Sequence, residues 1–319
     1  MSLKIIFHCG FFKTGTSSIQ NTAWHNRALF SKWGIYYPST GISDNAEEIG
    51  YRHSRLMYEI KKPEWADLVT ELVHEINTCD CETVLLSSEA WSRPGGFKAF
   101  KQLIDALSAE LDFEFETVFY LRNVYDYARS HYREFVKRWN YKQSFNDYLE
   151  LRRGFFDYKQ LLKPFAESYP SQLCVKYYEP GLDTVSDFFG HLGLSARRIK
   201  KLEQLERVNK SPSALDTQLN VMWNSYYANL LPSQTPPTAN AILRNLGLET
   251  RHSKTFEKFP AFGFLKNFTK SYHSDLQTVT KLSSEQVQQL LALDTQPQVD
   301  VERLVPVLKH ALMEYLKAQ

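Results

Sequence analysis

Cysteine is scarce, and its spacing suits neither metal nor disulfide work. The 319 residues contain four, Cys9, Cys79, Cys81 and Cys174, and none forms a C-x-x-C pair or a zinc-finger spacing. Cys9 and Cys174 fall in apolar, strand-like runs, which suits buried free thiols in a reducing cytoplasm. An excess of either charge is also lacking. The formal net charge is only +2, so overall electrostatics give no reason to expect a nucleic-acid partner, and any anion site must be a local cluster. Long hydrophobic runs are missing. Nothing approaches the ~18 consecutive apolar residues of a membrane span, and the short apolar start runs directly into glycine rather than into a secretory signal. There is no internal repeat and no low-complexity tract. Apolar residues make up 43% of the chain, enough for the core of one large α/β domain or two modest ones.

The apolar pattern switches repeatedly between the two structural periods. KIIFHC (4–9), ETVLLSSE (82–89), FETVFYLRN (115–123) and QLCVKYYE (172–179) read as strands. Between them, 16–30, 65–76, 97–111, 124–139 and 155–169 carry apolar residues at helical spacing. This alternation predicts an α/β fold: a parallel sheet of about four or five strands, flanked by helices and joined by right-handed crossovers. On the helix at 124–139, Arg129, Arg133 and Lys137 share one face, which reads as a solvated basic face. Beyond about residue 180 the strands stop. DTVSDFFGHLGL and SALDTQLNVMWNSYYANLL read as helices, and PSQTPP (232–237) is the clearest break. Ser283 and Gln286 have capping-box spacing, and VERLVPVLKHALMEYLK closes the chain around Pro306. The expected organisation is a core over 1–190 and a helical C-terminal part over 191–319 that packs on it and completes the sites.

The stretch HCGFFKTGTSSIQ (8–20) lies between the first strand and the first helix. Gly10 and Gly15 keep the spacing of the phosphate loop G-x-x-x-x-G-K-[ST], but Thr16 stands where the lysine belongs, and the lysine has moved inside the loop to Lys13. The glycines allow a tight turn and close backbone approach to an anion. The helix that follows offers its amide-rich start, and Thr14, Thr16, Ser17 and Ser18 add hydroxyls. A triphosphate enzyme uses the final lysine on the β/γ-phosphates and the next hydroxyl on Mg²⁺. With threonine at 16 that arrangement is broken. A lysine inside the loop suits one phosphate and one transferable group, with no metal required.

H-x-G-x-x-K-T-G-T-S-S-I-Q resembles the 5′-phosphosulfate loop of sulfotransferases that use 3′-phosphoadenosine 5′-phosphosulfate (PAPS), and is closest to their bacterial and carbohydrate-type branch. Members of that family carry an arginine after a later strand, often R-[ND]-P, and a serine eight residues on. YLRNVYDYARSHY matches with Arg122 and Ser130, while Val124 replaces the usual proline. The resemblance covers about residues 4–180, and more loosely VNKSPSALDTQL (208–219). It implies a P-loop-like fold and PAPS as donor. The 5′ end would be held by Gly10, Lys13, Thr14, Gly15, Thr16 and Ser17, and the 3′-phosphate by Arg122 and Ser130. Independently of the family, Arg122 follows a strand, so it emerges where open α/β sheets bind ligands, and a guanidinium fork suits a phosphate monoester; an arginine there also serves in surface ion pairs.

Sulfuryl transfer to an alcohol needs a base on the attacking hydroxyl and a cation on the leaving oxygen. Lys13 suits the second task. Glu89, at the end of VLLSSE, suits the first and resembles the glutamate of carbohydrate sulfotransferases, although the following AWSRP departs from their pattern. His8, just before the loop, is the rival base, and His53 is a candidate for the acceptor pocket. Trp91 and Arg93 are placed to hold a sugar or an acidic group. The expected acceptor is a carbohydrate or small metabolite presenting a hydroxyl, less readily an amine. Two other classes fit parts of the pattern: a kinase or NTPase with a degenerate phosphate loop, and a nucleotide-binding protein without catalysis.

Overall fold

The strand pattern folds into one parallel sheet. The structure, a computed structural model, describes residues 3–179, 181–202, 214–226, 270–292 and 310. Five strands, β1 (Leu3–His8), β2 (Ile35–Tyr36), β3 (Thr83–Ser87), β4 (Phe113–Leu121) and β5 (Leu173–Tyr177), run in the order β2-β3-β1-β4-β5 with every neighbouring pair parallel. The central strands are apolar without alternation because both faces are covered: Ile5, Phe7, Val84, Leu86, Val118 and Phe119 have no exposed surface. Burying one such side chain contributes about 1.5–3 kcal/mol.

The helices follow from the intervening sequence. α1 (Thr16–His25) and α2 (Arg27–Ser31) follow β1; α3 (Ala46–Ile49), α4 (Arg55–Tyr58) and α5 (Trp65–Thr78) precede β3; α6 (Gly96–Ser108) precedes β4. α7 (Val124–Trp139), α8 (Phe145–Leu151) and α9 (Tyr158–Ser168) separate β4 from β5, and α10 (Thr184–His191) and α11 (Ala196–Ile199) follow β5. The later helices described are α12 (Ala214–Tyr226), α13 (Lys270–Thr280) and α14 (Ser284–Leu291). Phe7 meets Phe100 of α6 edge-on at 5.0 Å, and Phe100 packs on Phe165 of α9 at 5.2 Å. On the other face, Ile6 shares a core cluster with Ile19 and Ala23 of α1 and with Val185, Phe188 and Phe189 of α10.

These faces account for the topology. The β1-to-β2 connection moves one way across the sheet over the α1 face; the β3-to-β4 connection passes β1 the other way over the α6 face. Reversing direction while changing faces keeps both crossovers right-handed. The strand order therefore turns at β1, and the crevice this creates opens beyond its carboxyl end. His8 pairs with Ser87 and Val118 in register, so the segments after β1, β3 and β4 leave the sheet side by side.

The chain divides into two units. One comprises 1–123, 157–207 and 270–290 and holds the sheet; the other comprises 124–156, 208–269 and 291–319. The sequence expectation was a single cut near 190. In the second unit the side chain of Asn224, on α12, donates to the carbonyls of Val136 (3.0 Å) and Tyr141 (3.1 Å). Ser144 and Asp147 form a capping box that starts α8. Arg129 is half-buried rather than solvated, paired with Asp126 at 2.6 Å and lying over the Tyr125 ring.

Several local expectations shift. The helix expected over 16–30 breaks at Asn26, whose side chain donates back to the Thr22 carbonyl at 2.9 Å; such local bonding competes with helix continuation. β2 is only two residues long and carries no readable alternation. The helix expected from 155 begins at Tyr158, where Asp157 accepts from the Gln160 amide at 3.1 Å. The Ser283–Gln286 box forms reciprocally, at 3.1 Å in both directions. PSQTPP and, except for His310, VERLVPVLKHALMEYLK lie outside the described residues. All four cysteines are free; Cys9 is buried, whereas Cys174 is only half-buried. Among the described residues, no helix is long and apolar enough to cross a membrane.

Candidate active site

The loop after β1 owes its shape to three left-handed residues. Gly10 (φ 43°), Lys13 (φ 67°) and Gly15 (φ 83°) all have positive φ. A Cβ on Gly15 would stand 2.8 Å from Thr184 Oγ1, so only glycine fits there. Lys13 is the costly member, because a left-handed non-glycine residue is disfavoured by roughly 1–2 kcal/mol. Thr14 and Thr16 both donate their hydroxyls to the Phe11 carbonyl, at 2.7 and 3.3 Å. Those hydroxyls therefore fold the loop back on itself rather than projecting from it. Ser17, by contrast, is exposed.

α1 starts from Gly15, whose carbonyl accepts from the Ser18 and Ile19 amides at 2.9 and 3.2 Å. No side chain caps this end, and its first turn has no acidic residue. An uncapped, acid-free helix start next to a lysine suits an anion.

Arg122, directly after β4, reaches this loop. Its Nη1 donates to the Lys13 carbonyl at 2.8 Å, while its own carbonyl accepts from the Tyr158 hydroxyl at 2.9 Å. Two motifs 109 residues apart in sequence thus meet at the strained residue. Arg122 Nε is buried with no partner in the structure, as is Thr184 Oγ1 beneath Gly15. Buried donors left this way are rare in native proteins, and the Arg122 fork retains capacity for an anion. Ser130 lies half-buried on α7, in the second unit.

β3 adjoins β1, and the Ser88 amide donates to the His8 carbonyl at 3.0 Å. This brings Glu89, the first residue of a short 3₁₀ turn, beside the segment leaving β1. Glu89 is nearly buried, and both its oxygens are engaged: Oε1 accepts from Arg52 at 2.5 Å and Oε2 from Gln20 at 3.1 Å. Gln20, on α1, also donates to Ser87 Oγ at 3.2 Å, and Ser87 Oγ lies 2.8 Å from His8 Nδ1. Accepting from the Gln20 amide leaves the Ser87 hydroxyl able to pair with His8 Nδ1 in either sense, as the imidazole tautomer dictates.

His8 is fully buried against Phe188, and burial pulls its pKa down to about 3. It is a neutral member of the chain running from Glu89 through Gln20 and Ser87. His53 is likewise fully buried. Its Nδ1 accepts from the Ser87 amide and its Nε2 donates to the Pro38 carbonyl, both at 3.0 Å; burial lowers its pKa to about 4. With both ring nitrogens committed to backbone, His53 joins two segments and does not line an open pocket. The expectation for Trp91 is also corrected. Its ring is 1% exposed and packs edge-on against Phe7 at 5.6 Å, so it belongs to the core and offers no sugar platform. Arg93 donates to the Tyr58 hydroxyl at 2.6 Å on the surface.

Sequence reasoning passed over Gln20, Arg52 and Thr184. Gln20 closes the T-S-S-I-Q run, and Arg52 adjoins His53; the clue to both was proximity to residues singled out for other reasons. Nothing in the sequence marks Thr184.

A central phosphate-loop-like turn on a five-stranded parallel sheet defines an α/β protein of the P-loop-like kind. No family model matches the chain, and no curated protein does. It is similar to the solved structure of a sulfotransferase from Alicyclobacillus acidocaldarius, with 17% identity over 78% of this chain and 98% of that one, at a TM-score of 0.38. It is also similar to the sulfotransferase domain of the Synechococcus PCC 7002 olefin synthase (9% identity, 98% and 94% of the chains, TM-score 0.31). A third is retinol dehydratase in complex with retinol and PAP (14% identity, 91% and 82%, TM-score 0.32). All lie below a TM-score of 0.5, so the chemistry of the site has to be argued from its own geometry.

Proposed function

We propose that the chain is a sulfotransferase that takes its sulfuryl group from PAPS and delivers it to a hydroxyl, less readily an amine, on a carbohydrate or small metabolite. The observation that carries this reading is the bond from Arg122 to the carbonyl of the left-handed Lys13, which joins the two donor-binding motifs of the resemblance at one point. The residues fit such a donor. The turn is closed to any side chain at Gly15, the helix start beyond it is uncapped, and Arg122 keeps an unpartnered buried Nε. In this reading the amides of Thr14 to Ser17 and the Lys13 ammonium hold the 5′ end, and Arg122 holds the 3′-phosphate.

PAPS supplies an activated sulfur–oxygen bond. The acceptor oxygen forms a new bond to sulfur as the bond to the phosphate oxygen breaks, and the charge left on that phosphate lies beside Lys13. Glu89 takes the acceptor's proton, held in orientation by Gln20 and Arg52. Lys13 supplies the cation that a nucleotide kinase would draw partly from Mg²⁺.

The test is ligand-dependent thermal stability. Adenosine 3′,5′-bisphosphate is expected to raise the melting temperature in excess EDTA, while ATP has little effect. Stabilisation by ATP that appears only with Mg²⁺, matching or exceeding that by the bisphosphate, would sink the reading in favour of a degenerate kinase or NTPase.

A further inference from the structure

A second cluster of chemically capable side chains lies away from the loop. Glu116 is on β4, five residues before its end; Cys174 is the second residue of β5; His191 is the last of α10. The register pairs Cys174 with Val118, and Glu116, two residues earlier, faces the same way. Val118 packs in the core cluster with Phe188 and Phe189, so this face is the one α10 covers. One ligand atom from each of Glu116, Cys174 and His191 lies within 4.8 Å of the others. His191 Nε2 stands 2.9 Å from Glu116 Oε1. The other oxygen, Oε2, accepts from Lys4 at 3.0 Å.

We infer that Glu116, Cys174 and His191 form a binding site for a thiophilic divalent cation of the zinc class. One thiol, one imidazole and one carboxylate are a set that zinc accepts, and three protein ligands leave a fourth position for water. Bonds of about 2.0–2.3 Å to a tetrahedral ion place neighbouring ligand atoms about 3.3–3.7 Å apart. Seating an ion therefore spreads the His191–Glu116 pair slightly and draws any wider pair together by at most about an ångström. Glu116 and His191 are 21% and 24% exposed, so the site is open to an entering ion. Lys4 already holds the carboxylate oxygen that faces away from His191, the outer-shell support that fixes a monodentate ligand. On binding, the Cys174 thiol releases its proton to solvent and ligates as thiolate. The site has a structural consequence as well. α10 begins at Thr184, beneath Gly15, and ends at His191. A bound cation would tie the far end of the helix that backs the phosphate loop to two strands of the sheet.

Co²⁺ is the probe, because a thiolate ligand gives it a charge-transfer band in the near ultraviolet. The full chain carrying Cys79→Ser and Cys81→Ser removes the other half-exposed thiols. One equivalent of Co²⁺ is expected to give the band, and Zn²⁺ to displace it. Cys174→Ser should abolish it, and His191→Ala should weaken binding at least tenfold. Circular dichroism confirms that each variant is folded. Should Cys174→Ser lose its fold, Zn²⁺ protection of Cys174 from a thiol reagent in the starting protein gives the same answer. No band, a band that survives Cys174→Ser, or unchanged affinity in His191→Ala would overturn the inference and leave His191 and Lys4 simply as the partners of the two Glu116 oxygens.

Discussion

Arg122→Ala removes one observed interaction and, on the proposed function, a second one, and two ligands separate them. The first is the 2.8 Å bond to the Lys13 carbonyl, which helps hold a residue at φ 67°. A hydrogen bond from a charged donor contributes about 1.5–3 kcal/mol. With it gone, Lys13 is freer to leave its left-handed conformation, which itself costs roughly 1–2 kcal/mol. The loop then loses its set shape, and every ligand that uses the 5′ site suffers alike. The second interaction is the proposed contact to the 3′-phosphate, of similar strength, which only a 3′-phosphorylated nucleotide can lose. Titration calorimetry with two ligands resolves them. Adenosine 5′-monophosphate should weaken about tenfold or somewhat more, reporting the loop alone. Adenosine 3′,5′-bisphosphate should weaken by roughly 10²–10³-fold, reporting both terms. Arg122→Lys, which keeps the charge without the fork, should fall between. Equal losses for the two ligands would confine Arg122 to shaping the loop. No loss for either would remove the loop from nucleotide binding and refute the reasoning at its root.

Gly15→Ala forces a Cβ to within 2.8 Å of Thr184 Oγ1 at a φ of 83°; it should destabilise the fold by about 1–3 kcal/mol and abolish stabilisation by the bisphosphate, and an unchanged melting temperature would contradict the close approach. Glu89→Gln should cut turnover by roughly 10²–10⁴-fold while bisphosphate affinity survives; near-normal turnover with the true acceptor would make Glu89 structural. His53, its pKa depressed to about 4 by burial, binds a proton more readily unfolded than folded. Its stabilising effect is therefore fully present above about pH 6.5 and is lost as pH falls from there toward 4, at about 1.4 kcal/mol per pH unit. Imidazole ¹⁵N shifts at pH 5.5 should show the neutral ring protonated at Nε2, and an imidazolium signal for His53 would contradict it.

The fold was legible because its signals are local. Each central strand is a continuous apolar run next to a helical period, and the alternation alone implies a parallel sheet with right-handed crossovers. β2 was illegible because two residues carry no period. The break at Asn26 was hidden because it depends on one side chain choosing a backbone partner over the helix. The left-handed turn at Gly10, Lys13 and Gly15 and the strand-end position of Arg122 were readable because turns and strand ends leave marks in sequence. The residues around Glu89 were not. Arg52, Gln20 and Ser87 come from three separate segments, and only the β1–β3 register makes them neighbours. The same holds for Glu116, Cys174 and His191, which lie far apart along the chain and share no spacing rule.

The geometry around Glu89 also alters what a base at that position has to do. A carboxylate offers about four lone-pair directions, and here one on each oxygen is already taken, by Arg52 and by Gln20. The two donors differ in how easily they move. Gln20 is almost fully buried and anchored at its other end to Ser87, so it behaves as part of the wall. Arg52 retains 22% exposure on a segment outside the sheet, so it is the partner an incoming acceptor meets first. While its guanidinium bonds Oε1, one accepting direction of that oxygen is occupied. That direction opens once Arg52 turns toward something else, and an acidic group on the acceptor is the partner its fork matches best. On this reasoning Arg52 links acceptor recognition to access at Glu89: an acceptor bearing an acidic group would draw Arg52 off and find Oε1 open, whereas a neutral one would have to compete with Arg52 for the same oxygen.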